Sequence, residues 1–213
     1  CDADNSNLSN ITIQGSDSID NNILMVSGTS DSIFSNINSS GNYRGLVFSS
    51  CHSNNVTDSY FANNFEGLVL MNTDDSNIVN VTVRANTNGL VIDGDSNHNT
   101  IVNSSSIGNT GTGLFFDSSI LNNNTIYNNF FNNTDNFDND SALLMNFLNT
   151  TQTSSTNIIG GTITGGNFWG TPTGTGFSET CDDNIAPFGI CDSPYNLTAD
   201  WNNTDYLALT QDT

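Results

Sequence analysis

Apolar positions along this chain come in short runs at a nearly fixed interval. The tetrapeptides Gly45-Leu46-Val47-Phe48, Gly67-Leu68-Val69-Leu70, Gly89-Leu90-Val91-Ile92 and Gly113-Leu114-Phe115-Phe116 are spaced 22, 22 and 24 residues apart. Asn22-Ile23-Leu24-Met25-Val26 fits one unit earlier, and Ala142-Leu143-Leu144-Met145 one unit later, after an insertion rich in Asn and Asp. Between these runs lies a second pattern: an Asn- or Ser-rich turn, an aliphatic residue, then another apolar residue a few positions on. Leu8/Ile11/Ile13, Ile33/Ile37, Val56/Tyr60, Ile78/Val81/Val83, Ile101/Ile107, Ile126/Phe130 and Ile158/Ile163 follow it. Each unit therefore carries two or three β-prone runs separated by polar turns. Runs this short cannot bury an apolar face alone, but stacked units can, each forming one rung. A leucine-rich repeat has a similar period but needs several leucines at fixed places in every unit, and they are absent. The pattern predicts an all-β fold: a right-handed, single-stranded parallel β-helix (a solenoid) of about seven coils. Asn and Ser at equivalent turn positions would stack into polar ladders along the rod, with a rise of about 4.8 Å per coil. Residues 1–165 are assigned to the helix and 166–213 to a non-repeating C-terminal cap or docking segment.

Composition removes several function classes. Of 213 residues 38 are Asn, 20 Asp and 2 Glu, whereas Lys is absent and the only Arg are Arg44 and Arg84, giving a net charge of −20. A nucleic-acid binder needs cations against phosphates, and a polybasic membrane binder needs them against headgroups. No apolar run approaches the roughly 18 residues of a transmembrane helix. Asn, Ser, Thr, Asp and Gly are poor helix formers. A hydrophobic fraction of 35% with 13 Phe is too high for disorder.

The N-x-I-x-x-N-x-[IVF] and N-x-G-[LI]-x-[LVIF] patterns, carried from about Leu8 to Ile163, resemble the parallel β-helix repeat of pectate-lyase-like and carbohydrate-binding proteins. They are most similar to Asn-rich versions on archaeal cell surfaces. The tail, with Gly166-Asn167-Phe168-Trp169-Gly170, Cys181-Asp182-Asp183-Asn184, Gly189-Ile190-Cys191-Asp192-Ser193-Pro194-Tyr195 and Asp205-Tyr206-Leu207, resembles the closing segment of those surface proteins. It departs from them by inserting Ile185-Ala186-Pro187-Phe188 before the glycine turn. For calcium the oxygen donors are Asp182, Asn184 and Asp192, with Asp183 and Asp200 in reserve, although Ala186 stands where a third ligand is wanted. The alternative is a plain solvated acidic turn. One Asn-rich relative acts in copper-site maturation, but three Met and two His are dispersed here.

Cys181 and Cys191, ten residues apart, are expected to form a disulfide, and Cys1 with Cys51 is the remaining pair, within or between chains. Zinc is the alternative, with only His52 and His98 to help. Cys1 at the start reads as the mature end left by a removed signal peptide, with a lipid anchor as a further reading. Glycosylation candidates of N-x-S/T type are Asn7, Asn10, Asn38, Asn55, Asn80, Asn103, Asn123, Asn132, Asn139, Asn149, Asn196 and Asn203. Together these features point to an extracellular, cell-surface location.

Candidate chemistry is thin at this level. Arg44 and Arg84 fall at different phases of the repeat and read as solvated. Asp74 and Asp75, with Asp93 and Asp95 about one coil later, would bring carboxylates together, and an Asp-rich turn ladder predicts the same residues. His52 and His98 read as turn residues. Phe130, Phe131, Phe137 and Phe147, and Trp169, Tyr195, Trp201 and Tyr206 in the tail, read as core or as a plug for the open end of the helix. The expectation is of no catalytic residue and no enzyme, with no cofactor other than calcium. Only a short polar segment precedes Leu8, so an uncapped start faces a specialised end, a heterologous pair of surfaces. The expected function is a secreted structural protein that self-assembles head to tail or laterally into a filament, sheath or surface layer, with N-glycans as covalent partners. The alternative is a carbohydrate-binding or carbohydrate-processing β-helix, of polysaccharide lyase or hydrolase type.

Overall fold

Strands of three to eight residues joined by tight bends are what the repeat becomes in the computed structural model, which describes residues 4–15, 23–118, 121–139, 145–198 and 203–211. The chain runs through β1 (Asn7–Gln14), β2 (Ile23–Ser27), β3 (Ile33–Ser40), β4 (Arg44–Ser49), β5 (Asn55–Thr57), β6 (Tyr60–Ala62), β7 (Glu66–Met71), β8 (Asn77–Val79) and β9 (Thr82–Arg84). It continues through β10 (Asn88–Asp93), β11 (Thr100–Val102), β12 (Ser105–Ile107), β13 (Thr112–Asp117), β14 (Asn122–Tyr127), β15 (Phe130–Asn132), β16 (Asp135–Asn139) and β17 (Met145–Phe147). The C-terminal part adds β18 (Thr153–Ser154), β19 (Ile163–Thr164), β20 (Phe168–Gly170), a one-turn helix α1 (Phe177–Thr180), β21 (Tyr195–Asn196) and β22 (Thr204–Asp205).

Each strand of the repeat pairs in parallel with its equivalent one turn away, giving three faces. Face 1 stacks the first half of β3 with β5, β8, β11, β14 and β17. Face 2 stacks the second half of β3 with β6, β9, β12, β15 and β20. Face 3 stacks β2, β4, β7, β10, β13 and β16, while β1 pairs along the whole of β3. This is the expected all-β parallel solenoid, with five complete turns from β3–β4 to β14–β16 instead of about seven coils. At the N-terminal end β1 stacks on β3 and β2 on β4, with residues 16–22 outside the described set; at the other end the stretch from β17 to β20 returns to faces 1 and 2 but diverts its middle into the antiparallel β18–β19 hairpin.

Register places the repeat's apolar residues in columns. Phe34, Val56, Ile78, Ile101 and Ile126 are successive partners on face 1. Leu46, Leu68, Leu90, Leu114 and Phe137 are partners on face 3, beside Phe48, Leu70, Ile92 and Phe116. These columns meet in one buried core. The repeated glycines are required by close approach: a Cβ on Gly67 would lie 2.6 Å from the Gly89 carbonyl oxygen, which belongs to the adjacent backbone and cannot move aside.

Three polar ladders run beside the core. In the first, the Ser32, Asn54, Ser76, Asn99 and Asn124 backbone N–H groups each donate to the side-chain oxygen one turn on, ending at Asn146. In the second, Val81 donates to Ser104, Ser104 to Asn129 and Asn129 to Asn167. The third links Asn42, Asn64, Asn86, Asn109, Asn133 and Asn136. Buried amides thus satisfy the backbone at bends where strand pairing stops.

The bends take left-handed backbone at repeating positions, which Asn, Asp and Gly accept more readily than other residues. One corner uses Asn10, Asn36, Asp58, Asn80, Asn103 and Asn128, and another uses Gly41, Asn63, Ala85 and Gly108. Ala85, at φ 52°, lacks both a side-chain oxygen and glycine's freedom. Ala85→Gly is accordingly expected to raise stability by about 0.5–1 kcal/mol, read as a higher urea midpoint at unchanged slope.

Candidate functional site

Face 3 carries its chemistry on the outer side, because alternation along each strand sends Leu90 and Ile92 inward and leaves Val91 and Asp93 outward. The column Ser49, Met71, Asp93 and Asp117 is in register there. Adjacent rungs therefore set the Asp93 and Asp117 carboxyl groups on the same side of the sheet, with Cα atoms about 4.8 Å apart. Both residues are half-buried. The Gly94 N–H donates to Asp93 Oδ1 at 2.6 Å, which fixes that side chain. Val47, Val69 and Val91 form a separate buried stripe beside this column, with Met71 and Phe115 packed on it.

The neighbouring bend gathers further acids. Asp74 Oδ1 accepts from the Asn97 N–H at 2.8 Å, Asp95 Oδ1 accepts from the Asn97 side-chain amide at 2.5 Å, and Asp75 Oδ2 lies 3.4 Å from His52 Nδ1. The sequence pattern groups Asp74, Asp75, Asp93 and Asp95 without assigning any of them a catalytic role, and it does not include Asp117. The signal was present: Asp93 and Asp117 each stand four residues after their repeat glycine.

On the opposite edge of face 3, Arg44 is tied up. Its guanidinium Nε pairs with Glu66, one rung on, and its Cζ lies 5.5 Å from the centre of the Tyr43 ring. Glu66 is only 7% exposed, so this arginine is a half-embedded ion pair and not the solvated residue expected. Tyr43 stacks on Phe65 with centroids 5.0 Å apart. Arg84 is exposed on face 2.

The C-terminal segment closes the solenoid. Phe131 stacks on Trp169 at 4.4 Å, and Trp169 and Phe177 in turn pack against Tyr195. The second polar ladder ends on Asp205, whose Oδ2 accepts from the Asn167 N–H at 2.8 Å and the Trp169 indole N–H at 2.8 Å, while Oδ1 accepts from the Leu207 N–H at 3.0 Å. Asp205 is fully buried, and burial pushes its carboxyl up to about 6. No feature of the sequence reading singled it out for this role. Burial, followed by the charge of Asp135, raises the Tyr195 phenol above its ordinary range.

Cys181 and Cys191 form the expected disulfide. Cys51 is a free, buried thiol in the column of Thr29 and Thr73, its Sγ directed at the Val26 and Ser49 carbonyls, and its expected partner Cys1 lies outside the described residues. In the disulfide loop Asp192 accepts from the Asn184 and Ile185 amides, Asp183 Oδ2 accepts from the Gly189 amide, and the Asp182 carbonyl accepts from the Asp192 amide. Asp200 and Trp201 lie outside the described residues. Among the glycosylation candidates, Asn7, Asn10, Asn38, Asn80, Asn103 and Asn123 are exposed, and Asn55, Asn132, Asn139, Asn149 and Asn196 are half-buried. Asn203 is corrected on two grounds. Its side chain is wholly buried, and the tripeptide Asn202-Asn203-Thr204 makes Asn202 the acceptor, outside the described residues.

The family model described as "Periplasmic copper-binding protein (NosD)" matches residues 2–174. No curated protein matches the chain. Among solved structures, the enzymatically active domain of bacteriophage CBA120 tailspike protein 2 superposes with a TM-score of 0.52 at 14% identity, over 90% of this chain and 33% of that one. The chain spans about a third of the length of that structure, and the likeness is one of fold.

Among the described residues the side chains that suit copper are not brought together. His52 and His98 sit on different rungs at exposed bends, Cys51 faces the core, and Met25 and Met145 are exposed on separate strands. Among the described residues no three His, Cys, Asp or Glu side chains converge on a metal-sized space. No helix among the described residues is long and apolar enough to cross a membrane.

Two expectations change. The narrower grouping with archaeal surface proteins gains no support from a match to a family described as periplasmic. The expectation of a chain without enzymatic character is overturned, since the fold is shared with a domain described as enzymatically active. With the match running through every complete turn of the solenoid, the chain belongs to the NosD family.

Proposed function

We propose that this chain is an exported β-helix that binds neutral carbohydrate along the outer flank of face 3 and hydrolyses it there. The observation that carries the reading is the register of Asp93 with Asp117 on adjacent rungs. Glycoside hydrolysis uses two carboxyl groups: one protonates the leaving oxygen as the glycosidic C–O bond breaks, and the other attacks the anomeric carbon or activates water. Asp93 and Asp117, in register on adjacent rungs, supply such a pair, with water as the co-substrate that completes hydrolysis. Amide and hydroxyl groups on the surrounding bends offer donors and acceptors to sugar hydroxyls. A net charge of −20 disfavours anionic polymers and leaves neutral ones. Export is supported by the Cys181–Cys191 disulfide, which suits an oxidising compartment, and by the family's periplasmic description.

The test is reducing-end release from a panel of neutral polysaccharides. Asp93→Asn and Asp117→Asn are each expected to lower the rate by about 10²–10⁴-fold with the fold intact. Equal activity in both variants and the parent chain would remove face 3 as the site.

A second reading, a subunit that self-assembles into a filament, sheath or layer, draws on the terminal strand β17, where Met145 is 73% and Phe147 53% exposed. Negative-stain microscopy tests it. Filaments lost on substituting both residues by Ser would favour this reading, and dispersed particles at high concentration would count against it.

A further inference from the structure

We propose that a cleft on the C-terminal cap, distinct from the face 3 flank, binds a single neutral sugar ring. In naming a sugar this rests on the carbohydrate reading, but the site itself uses other residues. The cleft holds about 200 Å³ between three segments: Gln152 ahead of β18, the disulfide loop with Ile185, Pro187 and Asp192, and Tyr206–Leu207 after β22. That space suits one ring, being smaller than the roughly 300–1,000 Å³ of drug-sized sites.

The walls are fixed before a ligand arrives. Asp192 accepts the Asn184 and Ile185 amides at 2.9 and 3.1 Å, which holds the loop rim. The Cys191 N–H donates to the Ala208 carbonyl at 2.9 Å, joining loop to tail. The Tyr206 N–H donates to Asn149 Oδ1 at 3.2 Å, joining tail to the segment that carries Gln152. Such preorganisation lowers the entropy lost on binding.

The lining divides as a sugar does. Tyr206 is 61% and Ile185 67% exposed, so apolar surface stands open to receive the C–H face of a ring. Gln152 offers an amide donor and acceptor to hydroxyls. Each Asp192 oxygen accepts one amide and keeps a further lone pair for a hydroxyl. Asp182 and Asp183 on the same loop add negative charge, which selects against uronic acids.

The experiment is a saturation-transfer NMR titration of the intact chain with glucose, galactose, N-acetylglucosamine and glucuronate, run beside the polysaccharide assay. At least one neutral sugar is expected to bind, with glucuronate at least tenfold weaker. Tyr206→Ala should weaken binding tenfold or more and Tyr206→Phe should retain it, while circular dichroism confirms that both variants are folded. Absence of binding to every neutral sugar, or binding that Tyr206→Ala leaves unchanged, overturns the cleft. If polymer is cleaved in that case, the flank reading stands without it. Sugar binding that depends on Tyr206, in a chain that cleaves no polymer, upholds the cleft and overturns the flank.

Discussion

Asp205→Ala is expected to lower the stability of the folded chain by about 3–5 kcal/mol. The side chain is the last rung of the second polar ladder. It accepts the Asn167 amide, the Trp169 indole N–H and the Leu207 amide, and all of these lie where strand pairing has ended. Alanine would leave those donors buried without partners and loosen the seat of Trp169, itself fully buried on Phe131. Urea unfolding followed by tryptophan fluorescence measures the loss. A change below about 1 kcal/mol would mean that water replaces the carboxylate there.

The same residue gives a pH dependence of defined sign. Desolvation raises its carboxyl from 3.8 to about 6, and the N–H donors from Asn167, Trp169 and Leu207 oppose the rise. The folded-state value lies above the unfolded one, so the folded state holds the proton more tightly. The stability gained from it is fully present below the unfolded value and is lost as pH rises through about 6. The span is worth roughly 3 kcal/mol. Asp205→Asn cannot ionise and has no such window. Between pH 4 and 7 the unfolding free energy of the parent chain should therefore fall relative to that of Asp205→Asn.

Asn124→Ala is the second large effect, at about 3–4 kcal/mol. Its Oδ1 accepts the Asn99 backbone and side-chain amides at 2.9 and 3.0 Å, and its Nδ2 donates to the Ser96 carbonyl at 2.8 Å and Asn146 Oδ1 at 2.9 Å. All four contacts are buried, and the residue belongs to a column in which Ser32 and Ser76 also occur. Asn124→Ser should therefore cost less, about 1–2 kcal/mol, because a hydroxyl can still accept the Asn99 N–H. Equal losses for Ala and Ser in thermal or urea unfolding would show that the ladder contributes through shape and not through hydrogen bonds.

What the chain's pattern discloses follows from its period. The Gly-Leu runs land in register as Leu46, Leu68, Leu90 and Leu114, and the Asn-rich turns become ladders, because one fixed spacing governs both. Arg44 with Glu66, and Cys51 between Thr29 and Thr73, obey the same 22-residue offset, so their environments were readable from the spacing too. Asp205 was not readable: it stands 38 residues from Asn167, its ladder neighbour, and no repeat connects them. The coil count ran high because apolar residues near the C-terminal end match the repeat without completing a turn; β17 and β20 are separated by a hairpin that no periodicity announces. The cap cleft depends on three segments brought together by the disulfide loop and the tail, a tertiary arrangement outside any local signal.

Carbohydrate recognition by this solenoid is measured most directly by affinity electrophoresis of the native chain through gels cast with individual polysaccharides. Slowed migration is expected on at least one neutral polymer, relieved by its free oligosaccharide, with unaltered migration on anionic polymers. Unretarded migration on every neutral polymer would contradict such recognition.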